Sequence, residues 1–154
     1  MMVSEPSSLL SMISTLRIRV AYIHVEIPDL ADVFNVAVKL SSMTVGLAFQ
    51  AATTSSPPQL AEVTEVLVMG TRDIGFCGRP LLASTPGRVN RLRGWPLADH
   101  RLPGRYLAVD GGVTARSIRE LLRAGASKFV LSSTLFNADD MSRAVKDLRR
   151  AAAS

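Results

Sequence analysis

The segment that most constrains what this chain can fold into is residues 106–136, YLAVDGGVTARSIRELLRAGASKFVLSSTLF. A short apolar run at 106–109 ends in one carboxylate, Asp110, followed by Gly111 and Gly112. A helical pattern from Thr114 leads to Ala124-Gly125-Ala126, and a second apolar run at 129–131 ends in the hydroxyls Ser132, Ser133 and Thr134. This pattern predicts a strand–helix–strand unit with small, polar and acidic residues at both strand ends. In parallel α/β architectures that end of the sheet is where ligands bind.

The same alternation runs through most of the chain. Residues 20–26 (VAYIHVE) read as a strand, and residues 30–40 carry apolar side chains at helical spacing. Strands are expected at 45–49 and 66–69, with a short helix from Pro57 to about Val63 between them, proline being well placed in a first turn. A glycine-bearing loop at 70–80, a helix at 86–92 and a Trp-Pro-containing loop at 94–104 lead back to the strand at 106. The last helix is expected at 138–152. Five short apolar strands alternating with helices imply a parallel sheet with right-handed crossovers. Two closures fit that pattern, a doubly wound open sheet and a (β/α) barrel. No G-x-G-x-x-G follows the first strand, whereas glycine loops follow the late ones, where barrels build their phosphate sites. The expected fold is therefore α/β, a partial TIM (β/α)8 barrel.

Composition bounds the function. At 154 residues, 47% hydrophobic and 20% charged, the chain suits one globular domain, here 20–154, preceded by a helical extension over 1–19. One cysteine, Cys77, leaves no internal disulfide and fits a reducing compartment. The N-terminus lacks a basic start and carries Glu5, and no long uncharged apolar run exists, so neither a signal peptide nor a membrane span is expected, and the cytoplasm is the expected location. Residues 1–70 hold three basic and six acidic side chains, and residues 71–154 hold fifteen and seven. The basic half is the half with the glycine loops, which points to an anionic ligand, although a general preference for Arg over Lys explains part of the excess. Aromatic residues are scarce and not interleaved with the basic ones, so nucleic acid is not an expected partner.

Individual residues carry the chemistry. Asp110 is the candidate catalytic carboxylate, against the plain alternative of a turn or helix cap. Gly111, Gly112, Ser132 and Ser133 form a candidate phosphate cradle, because glycines let backbone N–H groups approach oxyanions and the following helix starts add favourable dipoles. Gly75, Phe76, Cys77 and Gly78 form a candidate loop over the same phosphate, with Arg72 and Arg79 either pairing with it or simply solvated. Cys77 reads as a plain thiol. His24 reads as a partly buried structural histidine, His100 has no assignable role, and the two lack the spacing of a zinc site. The arginine-rich stretch at 88–105 reads as solvated surface.

At Val109–Val113 the chain resembles the ribulose-phosphate 3-epimerases, a family of TIM barrels. The family's seventh strand ends in V-D-G-G-V, as here. Its eighth reads V-x-G-S-x-[IL]-F, met by residues 130–136 with Ser132 in place of Gly. Its sixth strand and loop read V-L-V-M-S-V-N-P-G-F-G-G-Q, against VLVMGTRDIGFCGR at 66–79, and its fifth carries G-x-A-[LI]-N-P, against GLAFQA at 46–51. The fourth often shows H-x-E, as in His24 and Glu26. The resemblance implies that the five units here correspond to barrel units 4–8. It implies interconversion of D-ribulose 5-phosphate and D-xylulose 5-phosphate by metal-assisted proton transfer at C3. Asp110 would be both an acid/base carboxylate and a ligand of a divalent ion (Zn, Fe, Mn or Co). The family's other ligands, a His-x-Asp pair and a second His, lie on earlier strands with no match in this sequence. Five strands do not close a barrel by the usual count and leave two open edges. The implied partners are thus a phosphorylated sugar and a second copy of the chain or a complementing N-terminal half. The alternatives are a catalytically inactive remnant that binds a phosphorylated sugar or a partner protein, and another enzyme of the ribulose-phosphate-binding barrels, such as a decarboxylase relative.

Overall fold

The computed structural model describes residues 18–40, 43–53, 63–94 and 106–153. Five strands, β1 (Val20–His24), β2 (Thr44–Phe49), β3 (Glu65–Met69), β4 (Tyr106–Asp110) and β5 (Lys128–Val130), form one sheet. Every pairing is parallel, and the spatial order is β1-β2-β3-β4-β5. Each strand lies beside its neighbour in sequence, with no reversal of order. A doubly wound sheet reverses at a switch point, so this winding is that of a barrel segment. Among the described residues β1 and β5 each pair on one side only.

The helices are α1 (Leu30–Leu40), α2 (Thr85–Arg93), α3 (Ile118–Ala124), the single turn α4 (Ser133–Phe136) and α5 (Met141–Ala153). None is long and apolar enough to cross a membrane. Two boundaries differ from the sequence pattern. The Ser117 hydroxyl accepts from the Thr114 N–H (3.0 Å), and a hydrogen-bonded turn delays α3 by four residues. The final helix begins at Met141 and not at 138, because Asp140 caps its start by accepting from the Arg143 N–H (2.9 Å). The helix expected over 1–19, the one begun at Pro57 and the loop containing His100 fall almost wholly outside the described residues.

Alternation along the strands divides the core in two. Val45, Leu47, Phe49, Val66, Val68, Leu107 and Val109 pack with Phe34, Val89, Leu121 and Leu148 of the helices. On the opposite face Ala48, Leu67, Met69 and Ala108 form a second buried cluster, with Tyr22 and Ile74 at its rim. Burial on both faces explains why the strands read as near-continuous apolar runs. Gly46 lies on this inner face, where an added Cβ would stand 2.7 Å from the Glu65 carbonyl oxygen and 2.8 Å from the Tyr22 ring.

The inner face also carries a polar layer at the N-terminal end of the sheet. The buried Glu65 carboxylate accepts from Lys128 Nζ (2.6 Å) and from the Tyr22 hydroxyl (3.1 Å). Lys128 Nζ also lies 4.0 Å from the centre of the Tyr106 ring. The layer joins β1, β3 and β5, the alternate-strand pattern of barrel interiors. Burial, then the Glu65 charge, then the hydrogen bond push the Tyr22 hydroxyl up to about 12 from its ordinary 10.0. Folding therefore favours neutral Tyr22. That contribution is full below the unfolded value of 10.0 and is lost as pH rises through about 12. Urea midpoints measured across this window are expected to fall more steeply in the wild type than in Tyr22→Phe. Parallel curves for the two proteins would contradict the assignment.

One expectation is corrected here. Arg88, taken from the sequence as part of a solvated surface, is 4% exposed. The period of α2 places it on the inward face with Thr85, Val89 and Leu92. Its guanidinium carbon sits 5.2 Å from the centre of the Phe49 ring, a cation–π contact that offsets part of the desolvation.

Candidate phosphate-binding pocket

β3, β4 and β5 end side by side, with Met69 in register with Asp110 and Asp110 with Val130. Asp110 closes β4 on the inner face. The Gly70 N–H donates to its carbonyl oxygen (2.6 Å), holding the start of the β3–α2 loop against the strand. The carboxyl is half-buried, and no side-chain hydrogen bond or cation reaches it among the described residues. Burial alone pushes it above the ordinary carboxylate range.

The turn after β4 needs glycine for a specific reason. Gly112 has φ +69, and an added Cβ would lie 2.3 Å from the Leu81 nitrogen. The Pro80–Leu81 backbone thus packs directly on Gly112. Gly111 has φ +93 and faces Thr71, whose Cγ2 would be 3.0 Å from an added Cβ.

The β3–α2 loop folds over this turn. Arg79 Nε pairs with Asp73 (3.2 Å), and the guanidinium carbon lies 5.7 Å from the centre of the Phe76 ring, so Arg79 is engaged within its own loop. The Ser132 hydroxyl donates to Cys77 Sγ (3.4 Å), linking the loop to the end of β5. The Thr134 hydroxyl donates to the Val113 carbonyl (2.6 Å), linking α4 to the glycine turn.

The result is a pocket of about 290 Å³, near the lower bound for small-ligand sites. Asp110, Gly111, Gly112, Ser132 and Ser133 line one side and Gly75, Phe76, Cys77 and Gly78 the other. The candidate carboxylate, the candidate cradle and the candidate loop residues 75–78 thus meet at one cavity, whereas Arg72 is not part of its wall. The helix dipoles expected beside them do not: α3 begins at Ile118, well past the glycines, and α4 is a single turn. Sequence reasoning also missed Thr71, a buried residue of the pocket wall. The signal was present, because 65, 67, 69 and 71 share the inner-face parity.

His24 is absent from the pocket wall. Its Nδ1 lies 3.2 Å from Glu26, whose other carboxylate oxygen accepts from the Gln50 N–H (3.0 Å) and from the Thr53 hydroxyl. Burial pushes the Glu26 carboxyl up, but these hydrogen bonds outweigh it and hold the group below its ordinary range.

The metal implied by the resemblance needs several convergent donors. Among the described residues no three His, Cys, Asp or Glu side chains come together as such a set. Asp110 stands by itself, and the other pocket carboxylate, Asp73, is paired with Arg79. The described residues do not make up a metal site.

Comparison with known proteins agrees with the winding. The chain is 32% identical over 93 residues to the ribulose-phosphate 3-epimerase of Methanocaldococcus jannaschii, covering 60% of this chain and 38% of that one. It is 27% identical over 127 residues to the Escherichia coli K12 enzyme of the same name, covering 82% and 56%. The chain thus spans about half the length of these relatives, or less. Among solved structures, phosphoribosyl anthranilate isomerase from Thermus thermophilus aligns over 96% of this chain and 67% of its own, with TM-score 0.64 and 17% identity. Orotidine 5'-phosphate decarboxylase from Pyrococcus horikoshii aligns over 99% and 71%, with TM-score 0.62 and 12% identity. At such identities these structures speak for the fold alone. The sequence profile of the ribulose-phosphate 3 epimerase family matches residues 1–136, and the chain belongs to that family.

Proposed function

We propose that this chain carries the phosphate-binding side and one acid/base carboxylate of a pentose-phosphate epimerase site. The reaction would be the interconversion of D-ribulose 5-phosphate and D-xylulose 5-phosphate. The observation that carries the reading is the placement of a desolvated carboxylate, Asp110, in one pocket with the Gly111–Gly112 turn and Ser132–Ser133. The turn and the serines would hold the phosphate through N–H and hydroxyl donors. Asp110 would then take the proton from C3 on one face of the sugar, leaving the electron pair in the adjoining carbonyl system. Its raised pKa narrows the gap to the weakly acidic carbon, which favours proton transfer. Inversion at C3 requires a second acid on the opposite face to return a proton. Among the described residues the only other carboxylate of the pocket wall is Asp73, which lies in the β3–α2 loop and pairs with Arg79.

That shortfall favours a second reading, a chain that binds a phosphorylated sugar without turnover. The two separate in one experiment. The ¹⁵N-labelled chain is titrated with inorganic phosphate and with ribulose 5-phosphate, and exchange of the C3 proton is followed in D₂O. Amide shifts at Gly111, Gly112, Ser132 and Ser133 are expected with both ligands. Exchange on top of binding supports the epimerase reading, and binding without exchange supports the second. No shift at millimolar ligand would sink both.

A further inference from the structure

Thr71 is 3% exposed and lines the pocket, yet among the described residues no hydrogen bond reaches its hydroxyl. Three other hydroxyls of this region are engaged: Thr134 with the Val113 carbonyl, Ser132 with Cys77, and Thr85 with the Gly70 carbonyl at 3.4 Å. Buried hydroxyls are almost always paired, because leaving one unpaired forfeits its hydration without return. Among the described residues the only fully enclosed side-chain polar atoms without a partner belong to Arg88. The Thr71 oxygen therefore keeps a small opening, and the cavity it borders is the pocket.

Its position along the pocket is defined by the glycine turn. A Cβ built on Gly111 would lie 3.1 Å from Thr71 Oγ1. Gly111 stands between the carboxylate-bearing Asp110 and Gly112. A ligand that reaches from Asp110 to the phosphate cradle passes this hydroxyl. The part of a sugar phosphate lying there is its hydroxylated carbon chain, and a threonine can both donate to and accept from such a group.

We propose that Thr71 is a ligand-contacting residue that hydrogen-bonds a hydroxyl of the sugar chain, so that the pocket selects phosphorylated polyols over bare phosphate. This rests on the phosphate-pocket reading above. Thr71→Val keeps the shape and removes the hydroxyl. It is expected to weaken ribulose 5-phosphate binding by about 3- to 10-fold, the usual worth of one neutral hydrogen bond, and to leave inorganic phosphate binding unchanged. Thr71→Ser is expected to restore most of the loss. Amide spectra and melting curves of each variant establish that it is folded. Independently of any variant, the Thr71 methyl resonance of the wild type is expected to move with ribulose 5-phosphate and not with phosphate. Equal losses for both ligands, no loss for either, or an unmoved methyl would overturn the role of Thr71 and leave the phosphate pocket standing. A wild-type chain that binds neither ligand would overturn both.

Discussion

In any assembly in which this chain turns over a pentose phosphate, Asp110→Asn is expected to slow exchange of the substrate's C3 proton by about 10²–10⁴-fold, the usual contribution of a positioned acid or base. The amide keeps the shape of the β4 end but cannot accept the proton. The same substitution is expected to raise thermal stability at neutral pH. Burial lifts the Asp110 carboxyl above its ordinary 3.8, so folding favours the protonated form. That favourable contribution is present below the unfolded value and is lost as pH rises through the folded one. At neutral pH the ionised group is thus a net cost to the fold, and asparagine removes it. Melting curves at neutral pH and near 3.8 check this: the variant's advantage should be largest at neutral pH and shrink on acidification. A variant that melts lower than the wild type at neutral pH would show that Asp110 has a stabilising partner after all.

Gly112→Ala is expected to destabilise the domain by about 2–5 kcal/mol, combining the left-handed backbone penalty with overpacking. The new Cβ would meet backbone on the Leu81 side, at 2.3 Å from its nitrogen and 2.6 Å from its Cα, where no rotamer change gives relief. Either the turn or the β3–α2 loop must move, and both line the pocket. Urea denaturation should show a lower midpoint, and phosphate binding should weaken with it. Gly87→Ala is the control, since nothing lies within 4 Å of its added Cβ. Equal midpoints for the two variants would mean that the loop yields freely.

The two substitutions act on features of different legibility. Asp110 and its glycines were readable because they are contiguous: an apolar strand, a carboxylate and a turn form one local pattern. The strands at 44–49, 65–69 and 106–110 were readable for a related reason, since parallel strands buried on both faces become unbroken apolar runs. Helix ends were less readable. The start of α3 depends on a Ser117 hydroxyl competing for the Thr114 N–H, a contest that periodicity does not register.

By itself, then, the sequence determined the βα alternation, the family and the carboxylate, glycine and serine positions that meet at the pocket, because each is written in neighbouring positions. Only the tertiary structure decided which side chains are spent and which are left over. Glu65 finds Tyr22 and Lys128 across 43 and 63 residues of chain, and Arg88 is drawn under Phe49 by the pitch of its helix. Arg79, read from sequence as a phosphate partner or a solvated side chain, pairs with Asp73 and lies over the Phe76 ring within its own loop. Thr71, marked in sequence only by its parity with 65, 67 and 69, is buried with no hydrogen-bond partner for its hydroxyl among the described residues. For Glu65, Arg88 and Thr71 the physical reason is common: burial and hydrogen-bond satisfaction depend on groups brought together by the sheet and its helices, and no single position along the chain encodes them.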